Sequence, residues 1–559
     1  MKTEIRKYLP EILIILAGVI LFMPLIGRLH LFDWDEINFA ESAREMIRTG
    51  DYSTVRIDYL PFWEKPPLFI WMQALSMKVF GIGEFAARFP NSVCGILTLL
   101  CLYRMGKRIY DRNFGLYWMM AFAGSILPFF YFKSGIIDPW FNLFIFLGIM
   151  NFIFMLDARL PGVRRVRALV AGLALGLAVL TKGPVGVLLF LLTTGVYWTI
   201  NRFRMRIGWK EAVIFLLALI LSGGAWFIIQ VLKGNDAMIG EFMQYQVRLF
   251  RTRDAGHGGF LFYHFVVLLL GVFPASLFAL KGFRRNYYDS GIQKKLRIWM
   301  VTLLLVVLVV FTVVRTKIVH YSSLAYFPLT YLAAAVVYKI VNNHLRNYRW
   351  LNILIACTGM VYGLLIMAVP RIMMEKDRII ASGRITDAFT LGNLGAPVEW
   401  TGYESLVGVA LIAGIIIFLA LAVKRKKSAY PVLFASVALF TSLFVFVFVP
   451  RVEGYTQKAL IEFCKDRQDE HCYVATLGLK SYAPLFYARK PVPERHVPQG
   501  TEWLLNGPID RPAYFIARNK NASEFLKDHP GLTLLSERNG YVFLKRDPPG
   551  KNPGDDDPG

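Results

Sequence analysis

Five ionisable side chains stand at the edges of apolar runs: Asp35 in DWDEINFAESAREM, Glu64 and Lys65 in FWEKPPLFIW, Asp138 in GIIDPWFNLF and Lys182 in LTKGPVGVLL. A charge in or beside hydrocarbon needs a partner or a water-filled cavity, so such residues gathered at one membrane face mark a candidate site. Carboxylates and ammoniums converging from distant loops suit transfer from a phosphate-linked donor. A carboxylate acts as base toward an acceptor hydroxyl or phosphate, and cations neutralise the departing phosphate. Asp35 is the candidate base, with Asp138 and Glu64 as further site carboxylates. Lys65 and Lys182 would hold the phosphate as compact charges, while Arg248, Arg251, Lys317 and Tyr321 would add charge or hydrogen bonds. Singly, each has a plainer reading: an outer-loop Asp is usually solvated, and Arg248, Arg251 and Arg253 suit lipid headgroups. Joint placement is what favours a site.

Glu64, His257 and His320 are oxygen or nitrogen donors compatible with Zn²⁺ or Mn²⁺, but no short ligand spacing joins them. The metal reading stops at Glu64 with His257. AGHGG neither follows a strand nor opens a helix, so it is no phosphate-cradling loop. Neither G-x-S-x-G nor a dinucleotide fingerprint occurs, so no nucleotide or redox cofactor is expected.

For these residues to meet, the chain must cross a membrane repeatedly. Of its 559 residues 55% are hydrophobic, and the mean hydropathy is +0.45, far from a soluble globular chain. Runs long enough to span occur near residues 10–28, 86–104, 114–132, 137–156, 167–180, 184–200, 211–231, 261–280, 298–314, 321–340, 350–369, 404–423 and 431–449. That predicts about 13 transmembrane helices in a mostly α, polytopic fold over residues 1–449. The net charge of +24 comes from clusters in every second loop, which fits the positive-inside rule with a cytoplasmic N-terminus and gives no reason to invoke nucleic acid. The run from Glu11 to Ile26 lacks a cleavage pattern and reads as the first span.

On the outer side, residues 29–85 form a long charged loop. Glu36, Ala40, Ala43 and Ile47 recur at helical spacing there, and Phe69 to Phe80 is apolar but short, so two interfacial helices are expected. Residues 232–260 and 370–403 are further outer loops. Residues 450–547 alternate β-like stretches such as CYVATLG, AYFIAR and GYVFLK with helical segments, which predicts a small extracytoplasmic α/β domain. Cys464 and Cys472 fall there, where an oxidising compartment would let them pair. Residues 548–559 have nothing to bury and should be disordered.

The motifs named above, with RTKIVHYSSLAYFPL, occur in the order found in the lipid A aminoarabinose transferase family, whose relatives include protein O-mannosyltransferases. The resemblance covers most of residues 10–450 and extends weakly into KSYAPLFYARKPV. It implies a bacterial inner-membrane enzyme of GT-C fold that inverts a sugar from a polyprenyl-phosphate donor onto a lipid, lipid A-like, or protein acceptor on the periplasmic side. By that similarity Asp35 matches the essential first-loop aspartate, Glu64 a carboxylate that can bind metal, and Lys65 a contact to the carrier phosphate. Asp138, Lys182 and Tyr321 match further site positions. Asn38 stands where the family often has arginine, and Tyr245-Gln246 where it has a Glu-His pair, whose metal ligand His257 could replace. Two other readings stay open. A glycolipid transporter or flippase would line a midplane pathway and show repeat symmetry, neither visible here. A polymerase of a lipid-linked glycan would share the carrier.

Overall fold

The computed structural model describes residues 2–252, 258–284, 289–493 and 500–549. Apolar runs become helices because hydrocarbon offers no partner to an open backbone group. Helix α1 (Lys2–Phe22) leads to α2 (Asp35–Thr49), a two-residue hairpin of β1 (Arg56–Ile57) and β2 (Leu60–Pro61), and α3 (Leu68–Phe80). Next come α4 (Glu84–Ile109), α5 (Arg112–Ala123), α6 (Ile126–Phe130) with a 3₁₀ turn at Tyr131–Lys133, α7 (Asp138–Asp157), α8 (Pro161–Lys182), α9 (Val185–Ile200) and α10 (Trp209–Leu232). Helices α11 (Ala237–Arg251), α12 (Tyr263–Gly271), α13 (Ala275–Gly282) and α14 (Gly291–Val313) precede a 3₁₀ segment, Val319–Ala325, that runs into α15 (Tyr326–Val341). Then follow α16 (Arg349–Met374), α17 (Lys376–Ala381), α18 (Ala388–Leu394), α19 (Leu406–Val423), α20 (Ala429–Val447) and α21 (Val449–Tyr455).

Among the described residues, eight helices are long and apolar enough to cross a membrane, or up to ten if the bent pairs α5–α6 (81°) and α12–α13 (111°) each count as one span. Each of the thirteen expected runs falls on helix, but the apolar stretches at Tyr8–Phe22 and Val185–Ile200 are short for a span and α8 begins with three arginines. Close packing places the functional ends. Gly172 and Gly176 of α8 face Phe215, Ser222 and Gly223 of α10 so tightly that a methyl group at either would clash, which lets the two backbones meet.

The C-terminal segment holds α22 (Lys458–Asp466), β3 (Tyr473–Leu477), α23 (Ala483–Tyr487), α24 (Thr501–Asn506), β4 (Ala513–Arg518), α25 (Asn519–Asp528), β5 (Thr533–Arg538) and β6 (Tyr541–Arg546). Its sheet has the order β3-β4-β6-β5, with β3 parallel to β4 and the other pairs antiparallel. Asn539 and Gly540, both at positive φ, make the β5–β6 turn, as Asn-Gly commonly does. This segment is not packed as a body apart. Leu460, Ile461 and Cys464 of α22 and Phe486 of α23 share one apolar core with Phe39 and Ala43 of α2 and Phe69 of α3. Cys464 is spent in that core and all five cysteines are free, so the expected pairing with Cys472 is absent. Of the expected tail, residues from 550 on lie outside the described residues.

The same core corrects the expectation for α2. Every residue from Glu36 to Met46 is buried, so α2 is an internal strut rather than an interfacial helix; α3, with Leu75, Val79 and Phe80 exposed, keeps an apolar outer face. Burying a charge so deeply requires full pairing. Arg88 of α4 donates to both Glu36 oxygens at 2.9 and 2.6 Å, and to the carbonyls of Ile26, Leu29 and His30 at 2.7 to 2.8 Å. Glu36 also accepts from the amides of Phe32 (2.8 Å) and Gly135. Burial pushes the Glu36 carboxyl up, and the Arg88 charge and these hydrogen bonds more than offset it, leaving it below the ordinary glutamate value.

At the other end of α2, Arg44 binds Glu41 through two hydrogen bonds (2.7 and 2.6 Å) and the Lys490 carbonyl (2.9 Å), while Lys490 pairs with Asp58. Glu45 accepts from the Tyr59 amide at 2.9 Å. Burial first, and then the Glu41 charge, push it up to about 8. The basic connectors gather at the opposite end of the bundle, where Tyr338 donates to Asp111 (2.6 Å), Lys295 reaches Asp157 (3.4 Å) and Asn347 binds the Ala422 carbonyl (2.8 Å).

Removing one partner of a buried pair costs about 3–5 kcal/mol, because a naked charge stays behind. Arg88→Met should therefore lower the Tm in detergent steeply, and Glu36→Gln added to it should restore part of the loss. Folded Glu45 keeps its proton up to about pH 8, whereas an ordinary glutamate releases it at 4.5. Its contribution to stability is thus full below pH 4.5 and lost as pH rises through 8. A Tm series across that window should slope downward, and Glu45→Gln should flatten it.

Candidate active site

A cavity of about 670 Å³ opens at the end of the bundle away from the basic connectors. Its walls come from residues far apart in sequence, including Asp35, Glu64, Lys65, Asp138, Lys182, Arg248, Tyr321 and Lys480. Asp35 is the first residue of α2, and a helix N-terminus favours a carboxylate. Its side chain is 46% exposed, open to whatever enters. Asp138 opens α7, with Pro139 behind it, and is buried. Lys182 ends α8 because Gly183 takes φ +101° and Pro184 follows. Its Nζ lies 2.7 Å from Asp138 Oδ1 and 5.1 Å from the centre of the Tyr321 ring.

Glu64 and Lys65 arrive from the loop ahead of α3 and meet α11. Lys65 Nζ donates to the Tyr245 hydroxyl at 2.8 Å, and Arg248 reaches Glu64 at 3.2 Å. Lys65 and Arg248 both lie over the Tyr245 ring, 4.6 and 5.1 Å from its centre. Two like charges thus share one aromatic ring, an arrangement that draws an anion. The far wall comes from the C-terminal segment. Trp34 Nε1 donates to the Lys480 carbonyl at 2.9 Å, the Lys480 ammonium sits 4.5 Å over the Trp34 ring, and the Tyr482 amide donates to Asp33 at 3.3 Å. Burial pushes the Asp33 carboxyl up, only partly countered by its bonds from Ser481 and Tyr482. Burial, followed by the charges of Glu64, Asp33 and Asp35, pushes the Tyr482 hydroxyl up to about 12.

Known proteins resemble this chain in sequence and fold. A family model described as dolichyl-phosphate-mannose-protein mannosyltransferase matches residues 64–226, the stretch that carries Glu64, Lys65, Asp138 and Lys182. An undecaprenyl phosphate-alpha-4-amino-4-deoxy-L-arabinose arabinosyl transferase of Pectobacterium atrosepticum is 23% identical over 459 residues, 80% of this chain and 76% of its own. Among solved structures, apo ArnT from Cupriavidus metallidurans superimposes with a TM-score of 0.75 at 17% identity, covering 96% of this chain and 97% of ArnT. ArnT bound to undecaprenyl phosphate does so at 0.74 and 16% identity, with the same coverage. The chain has the GT-C glycosyltransferase fold.

Within that GT-C fold not every expected site residue faces the cavity. Lys317 is buried and donates to the Phe311 and Thr312 carbonyls, 2.7 Å each, capping α14. Arg251 is exposed at the end of α11 and does not line the cavity. His257 lies outside the described residues, and among those described no group of three His, Cys, Asp or Glu is placed to hold a metal. Glu64, the other expected metal ligand, faces the Arg248 and Lys65 cations, a setting that does not fit a divalent ion.

Sequence reasoning passed over several wall residues. In sequence Tyr245 only departs from the family's Glu-His pair, and it forms the platform for both cations. In sequence His320 offers only a metal-donor nitrogen, and it stands between two carboxylates. Lys133, whose Nζ donates to the Pro24 carbonyl at 3.0 Å, and Lys480 also line the wall. Nothing in spacing could link Lys480 to Trp34, which are 446 residues apart.

A charge-assisted hydrogen bond contributes about 1.5–3 kcal/mol, roughly tenfold or more in affinity. A lipid phosphate monoester should raise the Tm of the wild type, and Lys65→Ala or Arg248→Ala should each weaken that binding about tenfold in a ligand titration.

Proposed function

We propose that this chain is an inverting glycosyltransferase of the bacterial inner membrane. It moves a sugar from a polyprenyl-phosphate donor to a lipid, lipid A-like, or protein acceptor on the periplasmic side. The observation that carries the reading is the juxtaposition, in one cavity, of an exposed carboxylate at a helix N-terminus (Asp35) with two cations over one aromatic ring (Lys65 and Arg248). The names of the similar proteins, an undecaprenyl-phosphate aminoarabinose transferase and an ArnT bound to undecaprenyl phosphate, support the donor class. Orientation follows from charge. Basic connectors at the end opposite the cavity favour a cytoplasmic N-terminus and a periplasmic site.

In this mechanism the carrier's phosphate rests against Lys65 and Arg248, with its chain in the bilayer. Asp35 orients the acceptor and takes its proton as the acceptor oxygen attacks the anomeric carbon from the face opposite the phosphate. The bond to the carrier oxygen breaks, and the cations stabilise the negative charge that develops there. Lys182, held by Asp138, adds positive charge deeper in the cavity. Lys480 and Tyr482 bring the C-terminal segment to the acceptor side.

Transport fits the cavity less well, because the clustered charges lie at one end of the bundle rather than along a midplane path. Purified protein given a polyprenyl-phosphate glycoside and a panel of glycolipid, lipid A and peptide acceptors should release polyprenyl phosphate and form product one sugar heavier by mass spectrometry. Asp35→Asn should cut kcat about 10²- to 10⁴-fold while leaving carrier binding intact. A ladder of products would point to a polymerase. Release that never depends on Asp35 would overturn the reading.

A further inference from the structure

His320 has no part in the steps above, yet its position is built. Its Nε2 lies 3.6 Å from Asp35 Oδ2 and 3.8 Å from Asp138 Oδ2, so one ring nitrogen stands between the proposed base and the buried Asp138–Lys182 pair. The side chain is 19% exposed, reachable from the cavity but largely shielded. Its backbone is pinned from α7. Asn142, one turn along from Asp138, donates to Ser323 Oγ at 2.6 Å, and Ser323 Oγ donates to the His320 carbonyl. Both carboxylate gaps exceed a direct hydrogen bond, and one water or a small ring rotation closes either.

Tyr321 packs its ring edge-on against the His320 ring, centres 5.5 Å apart. Asp35 comes from α2, Asp138 from α7 and Lys182 from α8, the last turned toward Asp138. Lys65 adds positive charge from the loop ahead of α3, and Tyr326 stands near Asp138 on α15. On α12, His264 faces Ser322 at 3.0 Å. Carboxylate, imidazole and carboxylate in a row make a path on which a proton can rest, since an imidazolium between two carboxylates is attracted to both.

Resting on the glycosyl-transfer reading above, we propose that His320 is a positioning and proton-relay residue acting through Asp35, and that the acceptor group is therefore a hydroxyl. The acceptor oxygen bonds to the anomeric carbon while the bond from that carbon to the carrier phosphate oxygen breaks, and the phosphate leaves with the electron pair. The hydroxyl proton passes to Asp35 and then to His320 Nε2. The imidazolium is held between Asp35 and Asp138 until it yields the proton to water after product leaves. Asp35 is thereby a carboxylate again for the next turnover. An acceptor phosphate without a proton would leave His320 idle.

The test compares wild type with His320→Gln, or His320→Asn if the first does not purify, using the donor above and the acceptor that the wild type uses. We expect kcat to fall about 10²-fold or more, KM for the donor to change less than about twofold, and polyprenyl phosphate to raise the Tm as in wild type. The relay needs a neutral imidazole, so the wild-type kcat should decline at acid pH with one more ionisation than the variant shows. Unchanged kcat, an unchanged acid limb, or loss of carrier binding together with activity would each overturn the relay, as would product with the sugar on a phosphate oxygen. A wild type that releases no polyprenyl phosphate overturns the transferase reading itself; an active wild type with an indifferent His320 variant overturns this inference alone.

Discussion

The ion pair of Glu36 and Arg88 is the constraint on which the cavity depends. Five backbone groups from two separate stretches, Ile26 to Phe32 and Gly135, end on its two side chains. A buried charge pair tolerates little displacement, because any separation leaves both members in a medium that cannot solvate them. The chain leaving α1, the start of α2 and the approach to α7 are therefore locked to α4. Asp35, next in sequence to Glu36, and Asp138, three residues beyond Gly135, inherit their positions from that lock. The pair is structural, and the residue beside it is free to face the ligand.

The cavity divides its charge by depth. At the mouth, Lys65 and Arg248 are held over one aromatic ring, with Glu64 3.2 Å from Arg248. Deeper, Lys182 is neutralised by Asp138 at 2.7 Å. On the proposed reading a carrier phosphate would meet these two cations at the mouth, while the Lys182–Asp138 pair deeper in is balanced. Such preorganised charge requires no reorganisation when the bond breaks, which is where fixed dipoles and cations act most strongly.

The C-terminal segment completes the wall through shared packing. Helix α2 has one side on α3 and another on α22 and α23, so the strut that presents Asp35 is also the seat of the segment that presents Lys480 and Tyr482. The Arg44 and Lys490 contacts fasten its far end. Trp34 and Lys480 join the segment to the start of α2 a second time.

Composition and the positions of charge along the chain were enough for the sequence to determine a helical membrane fold and to single out five residues, Asp35, Glu64, Lys65, Asp138 and Lys182, that the structure brings to one cavity. Each sits where an apolar run stops, and hydrocarbon tolerates a charge only at such edges, so local sequence carries the signal. Its limits were set by partners. Lys317 looks like an outer-loop cation, yet two carbonyls at the end of α14 consume it. Glu36 looks like half of an acidic pair, yet Arg88 makes it structural. Tyr245, His320 and Lys480 gain their roles from neighbours hundreds of residues away in Lys65, Asp35 and Trp34. Tertiary structure decided which charges are spent on the fold and which face the cavity, because pairing in a low-dielectric interior is set by three-dimensional proximity, and spacing along the chain does not encode it.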